Sequence, residues 1–365
     1  MTLPASGRVA IFTEPNAPFQ VESYPLRAPA PREALVRVSM STICRSDIHS
    51  YQGHRPSPCP GLLGHEIVGR IVGLGAELTH DMRGDTLSIG DRILWSEFFI
   101  SGDNYFSEVL DMPQKSQGVE KYGHMAVTTA PHHHGGFAEY CYVLPKSWIL
   151  RLPSDLTDAE ATPINCGVAT MVAVTEAANI RLGSTVVIQG LGLLGLYGAA
   201  LAKSRGARYV IGLDVHNTRR AQSNRFGVDL ALDPTMDKTQ LLEAINAHCH
   251  PEGPDVVIEV CGVADVIALG LDLVRIGGTY VIAGLVSPGA HVTIDANRIV
   301  SKMLTLRGIH NYHPRHLVEA LDFVVANKNR YPFSELVDAR YPLDQVTQAM
   351  ADASAQRVLR AAIVP

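Results

Sequence analysis

Reactive side chains are concentrated in the segment "STICRSDIHS" at residues 41–50. It contains Cys44, Arg45, Ser46, Asp47 and His49, although only 18% of the chain is charged. Thiol, imidazole and carboxylate groups bind metals or transfer protons, but no CxxC pair accompanies them to form a local zinc knuckle. The residues that complete a site must therefore come from other parts of the chain.

Two later segments supply suitable partners. His65 and Glu66 begin an apolar strand in "GHEIVGRIVGLG", where polar groups without partners are unfavourable. Cys166 lies in "TPINCGVAT". Cys44, His65 and Cys166 form a Cys₂His set, one known arrangement for a catalytic zinc with an open coordination position. The alternatives are a histidine satisfied within the core and two cysteines that pack as small hydrophobes.

A second motif, "VVIQGLGLLG", has the GxGxxG spacing between an apolar strand and a helix. Its glycines allow a tight turn, close approach of a pyrophosphate and packing of the helix on the strand. We therefore predict a dinucleotide-binding turn, the alternative being a purely structural glycine turn. The predicted cofactor-binding residues of the turn are Gly190, Gly192, Leu193, Leu194 and Gly195.

Cofactor choice depends on the residues after the next strand. Asp214 ends that strand, where a carboxylate would hydrogen-bond the ribose hydroxyls and repel a 2′-phosphate. NAD is therefore favoured over NADP. Arg219 complicates this prediction, because an arginine just beyond the strand could pair with the phosphate.

The pattern of the whole chain indicates which elements position these residues. Through residue 150, short β-rich runs alternate with Pro, Gly and Asp, which is typical of a compact, mostly antiparallel β domain. From about 166, nearly all-apolar strands alternate with helical segments and predict a parallel sheet covered on both faces. We predict an α/β chain in which 1–165 and 309–365 form the β-rich domain. Residues 166–308 would form a doubly wound dinucleotide-binding domain.

Composition excludes several classes of function. A length of 365 residues allows two domains, and a net charge of −5 argues against nucleic acid or an anionic membrane as partner. The apolar stretch near 186–202 carries glycines and indicates strand, turn and helix rather than a membrane span. The N-terminal residues lack signal-peptide features, and scattered cysteines suit a reducing compartment, so we expect a cytoplasmic protein. The cysteines are Cys44, Cys59, Cys141, Cys166, Cys249 and Cys261.

Four segments, "CRSDIH", "GHEIVG", "NCGVAT" and "GLGLLG", resemble in this order the zinc-dependent medium-chain alcohol dehydrogenases. The resemblance covers essentially the entire chain. It implies a GroES-like β domain plus a Rossmann domain, and hydride transfer between a small-molecule alcohol and NAD. It also implies a homodimer or homotetramer, commonly joined through the Rossmann sheet.

The resemblance also implies a role for each residue of the first segment. Cys44, His65 and Cys166 match the zinc ligands, and Glu66 matches a residue beside the metal that exchanges with water. Asp47 matches the carboxylate that orients the ligating histidine. Ser46 and His49 match residues of a proton relay that runs through the nicotinamide ribose. Arg45 and Arg360 match basic residues that contact the pyrophosphate.

The chain departs from the family where many members hold a second, structural zinc with four cysteines. The corresponding segment, "SGDNYFSEVLDMPQKSQ", contains no cysteine. Because a closed site of this kind needs four ligands, we predict a single, catalytic zinc per chain. The four aligned positions are Gly102, Tyr105, Glu108 and Ser116.

The substrate is open at this level. Segments such as "YQGHRPSPCPGLLGHEIVGR" and "MPQKSQGVEKYGH" resemble dehydrogenases associated with phosphonate catabolism, although the missing cysteines depart from that pattern too. This resemblance makes a hydroxyalkylphosphonate one candidate substrate, beside the cyclic or terpenoid secondary alcohols, polyols and simple alkanols used by other members of the superfamily. Cations for such an anion would be His54, Arg55, Lys121 and His124, the alternative being ordinary surface-loop residues. In "APHHHGGFAEY", adjacent side chains of 132–134 cannot easily converge on one ion, so we expect a loop of solvated imidazoles.

Two other functions compete with this interpretation. One is a zinc-free reductase of the quinone-reductase kind, against which Cys44, His65 and Cys166 argue. The other is a dinucleotide-binding structural or regulatory protein that has lost the chemistry. The presence of Ser46, Asp47 and His49 argues against that second alternative.

Overall fold

The computed structural model describes residues 3–249 and 252–365 and divides into two units. Unit 1 contains the chain through Cys166, together with His313–Lys328 and Phe333–Pro365. Unit 2 contains Gly167–Tyr312 and Asn329–Pro332. The sequence predicts domain boundaries after residues 165 and 308. The structure instead assigns Cys166 to unit 1 and residues 309–312 to unit 2. Ile309 belongs with unit 2 because its backbone N–H continues the pairing to Ile282 O.

The first part of unit 1 is rich in short strands. It also has 3₁₀ helices at Pro113–Lys115 and Thr162–Asn165. The strands and helices are β1 (Ser6–Phe12), β2 (Gln20–Pro25), β3 (Ala34–Thr42), α1 (Arg45–Tyr51), β4 (Gly61–Leu62), β5 (Glu66–Leu74), β6 (Arg92–Trp95), β7 (Phe98–Ile100), α2 (Tyr105–Glu108), β8 (Val119–Lys121), β9 (Tyr140–Val143), β10 (Ile149–Arg151) and α3 (Asp158–Ala161).

Unit 2 alternates strands with helices, as its apolar strand pattern predicts. A 3₁₀ helix lies at Ser223–Phe226. The elements are α4 (Gly167–Ala177), β11 (Thr185–Gln189), α5 (Leu193–Ser204), β12 (Tyr209–Leu213), α6 (Asn217–Gln222), β13 (Leu230–Leu232), α7 (Lys238–Asn246), β14 (Val256–Glu259), α8 (Val266–Leu273), β15 (Thr279–Ile282), α9 (Ala296–Ser301) and β16 (Thr305–Gly308). The strands pair in parallel in the order β13-β12-β11-β14-β15-β16. The predicted α/β class with a parallel sheet is confirmed.

The chain then returns to unit 1 with α10 (Arg315–Asn327), β17 (Ala339–Pro342), α11 (Val346–Ser354) and β18 (Ala361–Val364). Short 3₁₀ helices lie at Phe333–Leu336 and Leu343–Gln345. The main sheet of the unit runs β10-β6-β5-β3-β18-β17, with β9 also paired to β3. Smaller sheets are β2-β1-β4 and β7-β8. β18 lies in the C-terminal segment that the sequence assigns to the β-rich domain.

Strand register explains why distant reactive residues meet. β3 and β5 are antiparallel, and Thr42 pairs with Glu66, so Cys44 just after β3 and His65 just before β5 lie at the same end of the sheet. β18 pairs with the same strand through Ala362 and Thr42, which delivers Arg360 to the same sheet end. The apolar side chains of this sheet form buried clusters around Trp95 and Phe137.

Unit 2 has a separate apolar core. Val187, Ile211 and Val257 lie on neighbouring parallel strands and are fully buried. Such near-continuous apolar strands are typical of a sheet covered on both faces. Among the residues that the structure describes, no helix has the length and apolarity needed to cross a membrane.

Candidate metal centre and cofactor-binding turn

Cys44 lies at the junction between β3 and helix α1. It is the N-cap residue of the helix, and its backbone N–H donates to Asp47 Oδ2 at 2.8 Å. A carboxylate in the first helical turn satisfies an N–H that has no partner within the helix. This hydrogen bond therefore fixes the position of the Asp47 carboxylate relative to the Cys44 backbone.

Asp47 also orients His65. The aspartate is fully buried, and its Oδ1 accepts from Gly64 N at 3.0 Å and lies 3.2 Å from His65 Nδ1. A carboxylate accepts, so Nδ1 is the donor, and Nε2 is the ring nitrogen that faces Cys166 Sγ. Asn165, which the sequence did not single out, binds the His65 carbonyl at 3.0 Å. Asp47 therefore holds the imidazole ring, and Asn165 holds the backbone of the same residue.

Four donor atoms converge at this point in unit 1. Cys44 Sγ lies 4.0 Å from Cys166 Sγ, and Cys166 Sγ lies 3.5 Å from His65 Nε2. With a Glu66 oxygen, these atoms all lie within 4.8 Å of one another. The structure thus brings together the four residues predicted to surround the metal, from three separate segments of the chain.

Electrostatics distinguishes the donors. The contact with Cys166 lowers the pKa of the Cys44 thiol despite its burial, and the same contact raises the pKa of Cys166. Burial disfavours the charged form of His65, but the Asp47 carboxylate outweighs it and raises the pKa of that imidazole. A thiolate beside a carboxylate-anchored imidazole is a donor set that zinc favours.

Glu66 is buried against two polar partners. Its Oε2 accepts a short hydrogen bond from Thr42 and lies 3.6 Å from Arg360 Nη1. Oε1 has no hydrogen-bond partner in the part of the chain described. Burial raises the pKa of Glu66 to about 7, against the opposing charge of Arg360. Such an oxygen within the donor set is consistent with a nearby cation, so the residues fit a zinc ion.

Arg360 lies within the fold of unit 1. It is 6% exposed and donates to Ile43 O at 2.7 Å. Burial opposes its charge, but Glu66 and the two thiols raise the pKa of the guanidinium. Its immediate partners are therefore the metal donors, and its contact with a pyrophosphate stays a prediction.

The other residues of the first segment lie on α1. Ser46 Oγ is 3.3 Å from His65 Nε2, which puts the hydroxyl at the donor set. His49 is half-buried, and its Nδ1 has no hydrogen-bond partner within the described residues. Burial and the charge of Arg45 lower the pKa of His49. Arg45 itself is exposed.

A further carboxylate, not predicted as part of the site, lies beside the donors. Glu97 is 2% exposed, and its Oε2 is 3.7 Å from His65 Nε2. Lys121 Nζ donates to its Oε1 at 3.1 Å. The segment "RILWSEFFI" could have indicated this residue as part of a site, because a single acid interrupts its apolar run. A buried charge in such a run needs a partner, and here it has two.

The glycine turn of unit 2 has the geometry that its motif predicts. Gly190 has φ +104 and lies so close to Cys261 that a Cβ would clash. A Cβ on Gly195 would collide with the Gly190 carbonyl. Gly192 is the N-cap of α5, and space is open around it. A phosphate can therefore approach this helix N-terminus closely.

Asp214 closes the same turn. Its Oδ2 accepts from Leu191 N at 2.8 Å and its Oδ1 accepts from His216 N at 2.8 Å. Arg219 Nη1 is 3.7 Å from Asp214 Oδ2. Asp214, which favours NAD, and Arg219, which favours NADP, therefore lie together after β12.

Two family models match different parts of this chain. One, described as the alcohol dehydrogenase GroES-like domain, matches residues 30–154, and the other, described as zinc-binding dehydrogenase, matches 194–326. Together they span more than two thirds of the chain. The chain belongs to the zinc-dependent medium-chain alcohol dehydrogenases. The predicted family is confirmed, and the protein is an oxidoreductase that acts on CH–OH groups.

Relatives of this dehydrogenase act on varied alcohols. It is 27% identical to a 5-exo-hydroxycamphor dehydrogenase of Pseudomonas putida, with 94% of each chain covered. It is also 27% identical to a sorbitol dehydrogenase of Halalkalibacterium halodurans, with 93% of this chain and 95% of the relative covered.

Solved structures share the fold over the full length. An alcohol dehydrogenase from Thermotoga maritima matches with TM-score 0.94 and 26% identity, covering 99% of this chain and 100% of that one. A zinc-binding dehydrogenase from Sinorhizobium meliloti, bound to NADP, matches with TM-score 0.87, 26% identity and the same coverage.

The lobe at residues 101–118 holds the four positions aligned with structural-zinc cysteines. Asn104 connects it through hydrogen bonds from its side-chain amide to Ser116 Oγ and to Gln117 O, the latter at 3.2 Å. Asn104 Oδ1 accepts from Phe106 N at 3.0 Å and caps α2. Hydrogen bonds therefore close this lobe, and a count of one zinc per chain stays a prediction.

The three adjacent histidines do not form the solvated loop expected. His133 and His134 are fully buried, and their Nε2 atoms contact Tyr24 O and Thr129 O. Burial lowers the pKa of His133 to about 4 and also lowers that of His134. The expectation of solvated imidazoles is wrong for these two, because the segment packs under β1 and β9 rather than over the surface.

Proposed function

We propose that this dehydrogenase is a zinc-dependent, NAD-linked enzyme that oxidises a secondary or otherwise functionalised alcohol to a ketone or aldehyde. The observation that carries the proposal is the convergence of Cys44, His65 and Cys166, with Asp47 behind the imidazole. These residues would hold one catalytic zinc, and Glu66 would lie beside it.

Each bound group supplies one part of the chemistry. Zinc is a Lewis acid that lowers the pKa of an alcohol, as it does for water. A bound nicotinamide would supply the hydride acceptor, so that an alcohol and NAD⁺ would give a carbonyl compound, NADH and a proton.

The residues of α1 would carry that proton away. Ser46 Oγ is at the donor set, 3.3 Å from His65 Nε2, and is suited to accept the hydroxyl proton of a substrate. His49 lies three residues later on the same helix, so the two side chains share one face. A half-buried imidazole whose pKa is lowered is neutral near pH 7 and can accept the proton before it passes to water.

We propose NAD rather than NADP as the preferred cofactor. Asp214 is the residue that favours this choice, since a carboxylate there repels a 2′-phosphate. Arg219 favours the opposite choice, and a structural relative binds NADP. Kinetics with each cofactor at a fixed alcohol concentration test the proposal; a lower KM for NADP would mean that Arg219 governs selectivity.

The substrate is proposed only as a class. A hydroxyalkylphosphonate stays one hypothesis, with His54, Arg55 and Lys121 as its candidate cations. The prediction of His124 as a cation is wrong, because burial lowers the pKa of its imidazole well below the usual value. Lys121 is already paired with Glu97, which reduces the charge it can offer to a phosphonate. The two alcohols named for the relatives, a hydroxycamphor and sorbitol, belong in the same substrate panel.

One experiment separates this function from its alternatives. Purified protein is analysed for zinc, and NADH formation is followed with a panel of monofunctional alcohols, polyols and hydroxyalkylphosphonates. We expect close to one zinc per chain and NADH formation. Zinc well below one per chain would favour a zinc-free quinone-reductase-like enzyme. Full zinc without NADH formation from any alcohol would favour a dinucleotide-binding protein without this activity.

We also propose a homodimer or homotetramer. In unit 2, β16 is the last strand of the parallel sheet, and Val300 and Met303 just before it are 75% and 78% exposed. Light scattering on the purified protein tests this, with a monomer as the contrary result.

A further inference from the structure

Glu97 is a buried acid that the proposed metal chemistry does not require. It follows β6 and directly precedes β7, and its side chain is 2% exposed. Its Oε2 lies 3.7 Å from His65 Nε2, the nitrogen proposed to hold the metal. Since Cys44, His65 and Cys166 already supply three protein ligands, a second carboxylate at this place needs another explanation.

Lys121 balances the charge of this acid. β7 and β8 are antiparallel with Phe98 opposite Lys121, so the hairpin holds the lysine beside Glu97. The Lys121 Nζ to Glu97 Oε1 contact is 3.1 Å, and only 13% of the lysine side chain is exposed. Glu97 is therefore an anionic acceptor held next to a cationic donor.

His124 adds a third polar group from the loop after β8. Its ring lies against that of His65, with centroids 5.6 Å apart and planes inclined by 28°. Nδ1 lies 3.4 Å from Ser57 Oγ, while the buried Nε2 has no hydrogen-bond partner among the residues described. Buried polar atoms in native proteins are normally hydrogen-bonded, so this nitrogen indicates a missing polar partner.

We propose that Glu97 and Lys121 bind a second hydroxyl group of the substrate, on the carbon next to the one that is oxidised. The substrates are then vicinal diols or polyols. This inference deepens the proposed function and rests on it, because it concerns the same donor set.

A neutral hydroxyl is the group that this pair fits best. A hydroxyl both donates and accepts, and the pair offers a carboxylate acceptor beside an ammonium donor. A phosphonate would meet the negative charge of Glu97, and an ammonium group would meet the positive charge of Lys121. A monofunctional alcohol would make none of the hydrogen bonds that a second hydroxyl can make with this pair.

The test compares two alcohols that differ by one hydroxyl, butane-2,3-diol and butan-2-ol, on the zinc-loaded enzyme with NAD. We expect kcat/KM for the diol to exceed that for butan-2-ol by at least about tenfold, mostly through KM. Glu97→Gln and the double variant Glu97→Leu/Lys121→Met should each bring this ratio close to one. The double variant removes both charges, so no unpaired lysine is left buried.

Zinc content and a neighbouring control complete the design. Glu120→Gln changes an exposed acid next to Lys121 on β8 and should keep the wild-type ratio of kcat/KM for the two alcohols. Zinc per chain should stay at the wild-type value in the Glu97 variants. A lower zinc content with an unchanged diol ratio would overturn the proposal in favour of a metal-holding role for Glu97.

The remaining outcomes are also decisive. Equal kcat/KM for the two alcohols in the wild-type enzyme would overturn this inference while leaving the proposed function intact. A preference for 2-aminobutan-1-ol or 2-hydroxyethylphosphonate over the diol would overturn it as well. Failure to oxidise any of these alcohols despite full zinc would instead overturn the proposed function, and this inference with it.

Discussion

Two segments of unit 1 correspond to metal sites in this family, and they are built differently. At the donor set, Cys44, His65 and Cys166 come from distant segments and are aimed by Asp47. In the lobe at 101–118, Asn104 provides local hydrogen bonds instead. Two exposed contacts with other parts of unit 1, Lys146 with Asp103 and His313 with Asp111, add to these local hydrogen bonds of the lobe. Holding donors for a reactive metal requires burial and support from several strands.

The largest effect should follow loss of a donor. Cys166→Ser is expected to lose zinc and to lower kcat/KM by more than about 100-fold, beyond the range found when only a supporting residue is changed. Metal analysis and NADH formation check this. Cys249→Ser, at another half-buried thiol, is the control and should keep both values. Full zinc in Cys166→Ser would contradict the assignment of the donor set.

Loss of support should have a smaller effect. Asp47→Asn keeps the shape but removes the carboxylate that anchors His65 Nδ1 and the Cys44 backbone. We expect zinc affinity to fall by about 10–100-fold, measured by competition with a chelator. Asp237→Asn, at the N-cap of α7, is the control for changing a capping acid. Equal zinc affinity in the two variants would contradict this role.

The lobe should respond in stability alone. Asn104→Ala removes the amide hydrogen bonds and the cap of α2, which should lower the free energy of unfolding by about 1–2 kcal/mol. Thermal unfolding measures this change. Zinc per chain should remain that of the wild type, in contrast with Cys166→Ser. A fall in zinc content would mean that the lobe contributes to metal binding after all.

The smallest effect concerns pH. His49 is lowered in pKa by burial and by Arg45, and alcohol oxidation needs its neutral form, so the rate should fall as pH drops through that pKa. Arg45→Gln removes one cause of the lowering and should shift the acid limb of kcat to higher pH by a few tenths of a unit. Saturating NAD separates this from weaker cofactor binding. The control variant Glu108→Gln, in the lobe at 101–118, should leave the acid limb of kcat at its wild-type pH.

Much of the architecture could be predicted from local patterns. The runs that predict strands contain β3, β5, β11 and β14, because period and composition report burial of short segments directly. The spacing of the glycine turn was equally readable, although only Gly195 is required by a local contact, with the Gly190 carbonyl, while Gly190 is required by Cys261 much later in the chain. Patterns of this kind depend on neighbours along the chain, and they identified the family before any contact was known.

Other features needed the long-range contacts. Glu97 became part of the site only through the packing of the β7–β8 hairpin against His65. His133 looked like part of a solvated run but is buried beneath strands far away in sequence. Residue type and spacing alone do not report which side chains face each other across strands.

The sequence by itself determined the chemistry available: two cysteines, a histidine and two residues of one helix that we propose as proton carriers, in the order that the family shares. The tertiary structure decided which polar groups surround that chemistry, namely Arg360 and Thr42 at Glu66 on one side and Lys121 at Glu97 on the other. The physical reason is that donor identity is a property of single residues. Burial and pairing of charges are set by strand register between segments far apart in the chain.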